Sequence, residues 1–276
     1  MTRLSANSWG KSEVRVSKIH RGEETDDFSE VTVSVSLTGE VAAAYLDADN
    51  AGVVPTDTVR NTIYALAQDH LTKDLEAFAQ TLTDHFLTHR GVASVTADLA
   101  ETIWHRQTAS GFVGGSSERR LARSRATTEE ASVWGGIDGL VVLKTRQSAF
   151  SGFPRDQYTA LPETDDRILA TTISLEWLYS SLPVDTTTTW EAARQGLIDG
   201  FFGDWSASIQ HQGWQMAEQV MAAVPEISEL SVRLPNQHHL PFDLARFGVE
   251  DRGIVFHVTS EPFGDIRFVA NRQDFG

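Results

Sequence analysis

Three short stretches of the sequence bring together side chains able to move a proton or grip a flat polar molecule. In NSWGKSEVRV (7–16), Lys11 stands just ahead of an alternating run, a place where a lysine is ordinarily a solvated strand-end charge. In VVPTDTVRNTIYALA (53–67), Thr56 and Asp57 form a polar corner ahead of Ile63, Leu66 and Ala67. Thr or Asp so placed accepts backbone N–H groups that would otherwise be orphaned, so the spacing predicts a side-chain-capped helix start. In LPNQHHLPFDL (234–244), Asn236, His238 and His239 lie between two prolines. A histidine in such a segment is more often a hydrogen-bonded structural residue than a catalyst.

Other segments add binding chemistry. QSAFSGFPRDQYTALPETDDRIL (147–169) carries Phe150, Phe153, Arg155, Tyr158 and Arg167 in a connection long enough to hold a ligand or simply to pack as a surface loop. SIQHQGWQMAEQ (208–219) reads as a helix start capped by Ser208, with Gln210 in the first turn. His85 and His89, four apart on a helix, have the spacing of a shared metal, but no HExxH and no obvious third ligand accompany them, so they read as a solvated face and no metal is expected. Arg119, Arg120, Arg123 and Arg125 form a basic cluster without interleaved aromatics, for which acidic groups of a neighbouring chain are the simplest partners. No GxGxxG or GxxxxGK[ST] loop occurs, and no nucleotide cofactor is expected.

A formal net charge of -15 repels phosphate backbones and anionic lipid, which argues against nucleic acid and membrane as partners. The absence of cysteine removes disulfides, thiolate nucleophiles and Cys-type zinc sites at once. MTRLSANSWGK lacks an apolar signal core, no run approaches the ~20 apolar residues of a membrane span, and RQDFG is not a peroxisomal address. A cytoplasmic protein is the expectation.

These residues need elements to hold them. Alternation predicts strands at 14–20 and 31–37, an antiparallel pair, followed by helices at 56–68 and about 71–90. Strand-like segments at 94–107 and 118–130 flank the glycine-rich link GFVGGSS. The order then repeats: strands at 139–147 and 167–180, helices near 187–202 and 208–224, and strands at 227–234, 253–258 and 265–270. With 276 residues and 41% hydrophobic composition, the chain suits an α+β layer architecture of two similar halves, 1–138 and 139–276. Each half would be an antiparallel sheet with helices on one face, and its open edges favour pairing with further copies.

Taken in order, GKSEVRV, VVPTDTVRNTIYALA, VLKTRQSAFSGFPRDQYTALPETDDRIL, SIQHQGWQMAEQ, LPNQHHLPFDL and a final DIRF resemble the uricase (urate oxidase) family over nearly the whole chain. The resemblance implies two tandem tunnelling-fold modules, four chains closing a barrel-like homotetramer, and active sites at subunit interfaces. It implies oxidation of urate by O2 and water to 5-hydroxyisourate and hydrogen peroxide without a cofactor. The family's catalytic Lys-Thr-His set falls on Lys11, Thr56 and His238. Its substrate-binding positions fall on Thr56, Asp57, Phe150, Arg167, Ile209, Gln210 and Asn236, with Ile266 at an apolar position nearby. Ile209 replaces a valine also found in the family, a mild change because the contact there uses the main-chain N–H.

Overall fold

The computed structural model describes residues 4–183 and 185–276. The chain divides into two compact units. The first comprises residues up to Ile137 with Glu176–Trp190 and Glu226–Ser228; the second comprises Asp138–Leu175, Glu191–Pro225 and Glu229–Gly276.

In the first unit, β1 (Trp9–His20) and β2 (Asp27–Gly39) are followed by a short helix α1 (Ala42–Leu46), then α2 (Thr56–His70) and α3 (Leu75–Leu87). β3 (Val92–Thr102), the two-residue hairpin strands β4 (His105–Arg106) and β5 (Phe112–Val113), and β6 (Arg119–Thr127) come next. β1 pairs antiparallel with β2, β2 with β3, and β3 with β6. The alternation in β2 works as its sequence predicts. Val31, Val33, Val35 and Leu37 are buried on one face, where α2 contributes Val59 and Ile63 and α3 contributes Leu75, Phe78, Leu82 and Phe86. Each such side chain adds about 1.5–3 kcal/mol when taken out of water.

β7 (Ala131–Lys144) and β8 (Leu169–Tyr179) supply residues to both units. The second unit adds α4 (Thr186–Phe202), apart from its first turns, α5 (Ile209–Ala223), β9 (Ile227–Pro241) and β10 (Phe256–Asn271), with strand order β7-β8-β9-β10. Its buried residues include Ile173, Leu197, Phe201, Met216, Val220 and Leu234. The layers are those of an α+β tunnelling fold, antiparallel strands with helices in pairs. Among the described residues no helix is long and apolar enough to cross a membrane.

Several details depart from the sequence expectation. β7 begins eight residues before the expected start because Gly135 and Gly136 look like a break in the sequence. A Cβ at Gly135 would lie 2.6 Å from the Trp177 indole, so glycine serves close strand contact there. The expected strands 253–258 and 265–270 are one strand, β10, whose pairing with β9 shifts between Thr259 and Gly264. Pro262 and Gly264 are accommodated at this irregularity, on the last strand of the order, where a missing N–H is tolerated.

Two of the four clustered arginines, Arg120 and Arg123, find acidic partners within their own chain rather than a neighbouring one. Arg120 is buried and pairs at 2.7 Å with Glu76, itself fully buried, while also donating to the Lys73 carbonyl and Thr186. Arg123 pairs with Asp98 and, at 2.6 Å, with Glu176. All these carboxylates belong to the same chain and the same unit: Asp98 on β3 and Glu176 on β8 meet Arg123 of β6 across the sheet, and Glu76 of α3 meets Arg120 from the helix layer.

Candidate functional site

The residues singled out in the sequence fall into two groups, one in each unit. In the first, Lys11 is placed by an exact-fit strand pair. A Cβ at Gly10 would sit 1.9 Å from the Val35 carbonyl oxygen, so only glycine permits this approach, and Lys11 then pairs with Val35. Cross-strand partners share a face, and Val35 faces the core, so Lys11 is half-buried on the helix-bearing side rather than a solvated strand end. Immediately after it the register shifts, between Lys11 and Val14, and Glu13 adopts φ 58°. This bulge returns Val14 and Val16 to the core.

Trp9 shares the face of Lys11, and its Nε1 donates to the Val54 carbonyl at 3.1 Å. Tyr64 of α2 donates to the Arg15 carbonyl at 2.9 Å. Those two bonds lay the start of α2 against β1 and bring the Thr56 corner alongside the Lys11 end of the strand. The capping expectation is corrected here. Thr56 is the first helical residue, Pro55 occupies the capping position, and no side chain caps the helix. Proline fixes the entry φ but offers no acceptor, so first-turn N–H groups remain free for an anion. Asp57 is exposed and held by Arg60 at 2.6 Å and Asn61 at 3.0 Å.

In the second unit, three chain segments are tied together. Ala149 donates to the Ser206 carbonyl at 2.8 Å and Ser206 donates to the Gln147 carbonyl at 3.0 Å, a parallel bridge pairing Ser148 with Ser206. Phe150 and Thr164 exchange bonds of 2.8 and 3.0 Å, and Arg167 N–H donates to the Ser148 carbonyl at 2.8 Å. The long connection is therefore folded back on itself and pinned beside the segment leading into α5. Phe150 stacks on Phe153 with centroids 4.9 Å apart, and the Arg167 guanidinium carbon lies 5.3 Å from the Phe150 ring centroid. Burial lowers the pKa of Arg167, and its Nε is buried without a hydrogen-bond partner.

Ser208 caps α5 as its sequence predicts, accepting from the His211 N–H at 3.1 Å. The N–H groups of Ile209 and Gln210 have no acceptor within the helix. Ile209 turns its side chain into the core and Gln210 is exposed. On β9, Leu234 packs on α5 at Gly213, where an added Cβ would come 2.8 Å from its Cδ1. Asn236 and His238 follow at two-residue steps and so project from that same face, half-buried, opposite the β10 irregularity. Thr171 anchors this stretch by donating to the Pro235 carbonyl at 2.9 Å, and Ile266 pairs with Leu234. Arg167, two residues ahead of β8, and Asn236 are thus set on segments joined by β8.

Of the histidine pair only His85 lies on α3, which ends at Leu87, short of the expected helix end near 90; His89 follows it with ring centroids 5.6 Å apart, and burial, then His89, lower the pKa of His85. Among the described residues no three His, Asp or Glu side chains converge as a metal site. Two residues escaped sequence reasoning. The hydroxyls of Ser148 and Ser206 are buried without partners, and nothing in QSAF or DWSASIQ distinguishes them from ordinary loop serines.

The second unit combines a flat aromatic face, a desolvated guanidinium and free helix-terminal N–H groups, and the first unit holds a half-buried lysine on β1 and an uncapped helix start at Thr56. Comparison with known proteins gives this chemistry a family. A family model described as Uricase matches residues 7–130 and 133–267. The uricase of Arthrobacter globiformis is 36% identical over 275 residues, 98% of this chain and 90% of that protein. The uricase of Dictyostelium discoideum is 36% identical over 99% of each chain. The crystal structure of the Arthrobacter globiformis uricase superposes with a TM-score of 0.94, covering 99% of this chain and 96% of that one.

Proposed function

This chain belongs to the uricase family, and we propose that it oxidises urate with O2 and water to 5-hydroxyisourate and hydrogen peroxide, using its own side chains and no cofactor. The electrons balance without one: urate gives up two electrons, O2 takes them and becomes H2O2, and a hydroxyl from water adds to the oxidised ring. The protein's task is then to hold the electron-rich ring beside O2 and to manage protons.

Urate is a flat anion with amide-like edges. Phe150 offers a ring to pack against it, and the planar fork of Arg167 with the Gln210 amide grips adjacent edge atoms. The Ile209 N–H and the Asp57 main chain add donors, and Thr56 adds a hydroxyl. Ile266 contributes apolar surface. Lys11 and Thr56 draw off a proton, the hydroxyl relaying it to the amine, and His238 accepts or returns it. Asn236 holds O2 or the attacking water over the ring.

In this reading Lys11, Thr56 and Asp57 of one chain face Phe150, Arg167, Gln210, Asn236 and His238 of another, in a homotetramer with sites at subunit interfaces. β1 and β10, which end the strand order, supply the edges that neighbouring copies pair with. The two modules divide at 138/139.

The observation that carries the reading is Arg167, a half-buried cation with no ion pair among the described residues, set over Phe150 beside the opening turn of α5. The test is urate consumption in air-saturated buffer by purified, chelator-dialysed protein. One peroxide should form per urate consumed, and light scattering should give the mass of four chains. Absence of turnover, or turnover lost on chelation and restored by a metal, overturns it.

A further inference from the structure

Buried polar atoms are rarely left alone, because an unsatisfied hydroxyl costs about 1–3 kcal/mol. Among the described residues seven side-chain atoms are buried without a partner, and three of them, Ser148 Oγ, Ser206 Oγ and Arg167 Nε, belong to one small knot of chain. Ser148 and Ser206 have no exposed surface at all. Alanine would fill either position without that cost, so two serines here call for a reason.

The backbone puts the three residues on one face. Ser148 and Ser206 are bridge partners, and partners in a ladder project to the same side. Ala149 N–H bonds toward Ser206 while Phe150 N–H bonds the other way, toward Thr164, so the segment 148–150 is extended. Ser148 and Phe150, two apart, therefore lie on one face. Arg167 is on that face too, because its guanidinium sits 5.3 Å from the centre of the Phe150 ring and its N–H bonds to the Ser148 carbonyl.

We propose that Ser148 and Ser206 are positioning residues for Arg167, their hydroxyls and its Nε–H sharing one buried water. A water makes about three hydrogen bonds when buried, and this cluster offers three polar atoms and no others left over. Held at Nε, the guanidinium presents its two outer nitrogens in a fixed plane, which is what bidentate grip of an anionic edge needs. The inference rests on the reading of Arg167 as the partner of urate and goes beyond it by assigning what orients that partner.

The test is Ser148→Ala and Ser206→Ala, each alone and each combined with Arg167→Lys, which keeps the charge but has no Nε–H. Each alanine should raise the KM for urate about fivefold to tenfold while kcat stays within about twofold, with no loss of thermal stability. In the Arg167→Lys background the alanines should add nothing. A merely structural role predicts the opposite pattern: altered stability, unchanged KM, and equal effects in both backgrounds. A high-resolution crystal structure of the unaltered protein should show a water within hydrogen-bond distance of all three atoms, and a dry cluster overturns the proposal whatever the kinetics. If the unaltered protein does not oxidise urate, the function proposed above fails, and the crystallographic result alone decides the cluster.

Discussion

Arg167 is where binding and stability should part company. Its guanidinium is half-buried, burial pulls its pKa down, and among the described residues no carboxylate pairs with it. In the folded protein this is a cost, a desolvated cation with no carboxylate to offset it. With urate bound it becomes a gain, since two charge-assisted hydrogen bonds contribute about 1.5–3 kcal/mol each. Arg167→Ala should therefore weaken urate binding by about 3–6 kcal/mol, roughly a hundredfold to ten-thousandfold in KM. The same substitution should leave thermal stability unchanged or slightly raised, because a poorly solvated charge is removed. Steady-state kinetics with urate at saturating O2 gives the first quantity and calorimetry of the free protein the second. A KM within threefold of the parent, or a fall in Tm beyond about 5 °C, refutes the argument, because either would make Arg167 a structural cation.

Lys11→Met and Thr56→Ala should each lower kcat at least about a hundredfold with smaller changes in KM, the mark of lost proton transfer; near-normal turnover of Lys11→Met in steady-state kinetics sinks the relay. Gly135→Ala should cost about 1–3 kcal/mol in denaturant unfolding, since its Cβ would meet the fully buried Trp177 indole at 2.6 Å. Burial, opposed first by Arg120, raises the pKa of Glu101. The folded state then holds a proton that the unfolded chain has released, so this group's contribution to stability declines as pH rises from the ordinary glutamate value of 4.5 into the raised range. Glu101→Gln should flatten that decline in urea unfolding midpoints measured between about pH 4 and 7, and an unchanged slope would remove Glu101 from the account.

The periodic parts of the fold were readable because one face of each element is committed to the core. Val31, Val33, Val35 and Leu37 announced β2, and Phe78, Leu82 and Phe86 announced α3. What the sequence concealed were places where backbone approach, not side-chain pattern, decides. Gly135 lies inside a strand it seems to break, and Gly10 sets the register that turns Lys11 inward. The Thr56 corner was legible as a helix start but misread as a capped one, because Thr-Asp satisfies the capping pattern one residue too late, after Pro55 has taken the position. The motifs behind the proposed site stand in sequence order, but the paired serines carry no such signal. Their meaning depends on a parallel bridge between residues 58 positions apart, which no local pattern encodes.

Local rules break at two places. α2 starts without a side-chain cap, and Arg167 carries charge with no counter-ion among the described residues. Each is a small deficit of folding free energy, and each is a deficit of negative charge or of hydrogen-bond acceptors. The ligand of the proposed function answers both, being an anion rich in acceptor atoms, and chloride or phosphate would not replace it where a flat ring is to lie on Phe150. Under the proposed function, stability withheld at the α2 start and at Arg167 would be regained when such a ring binds, the condition under which binding energy can hold a reacting purine in place.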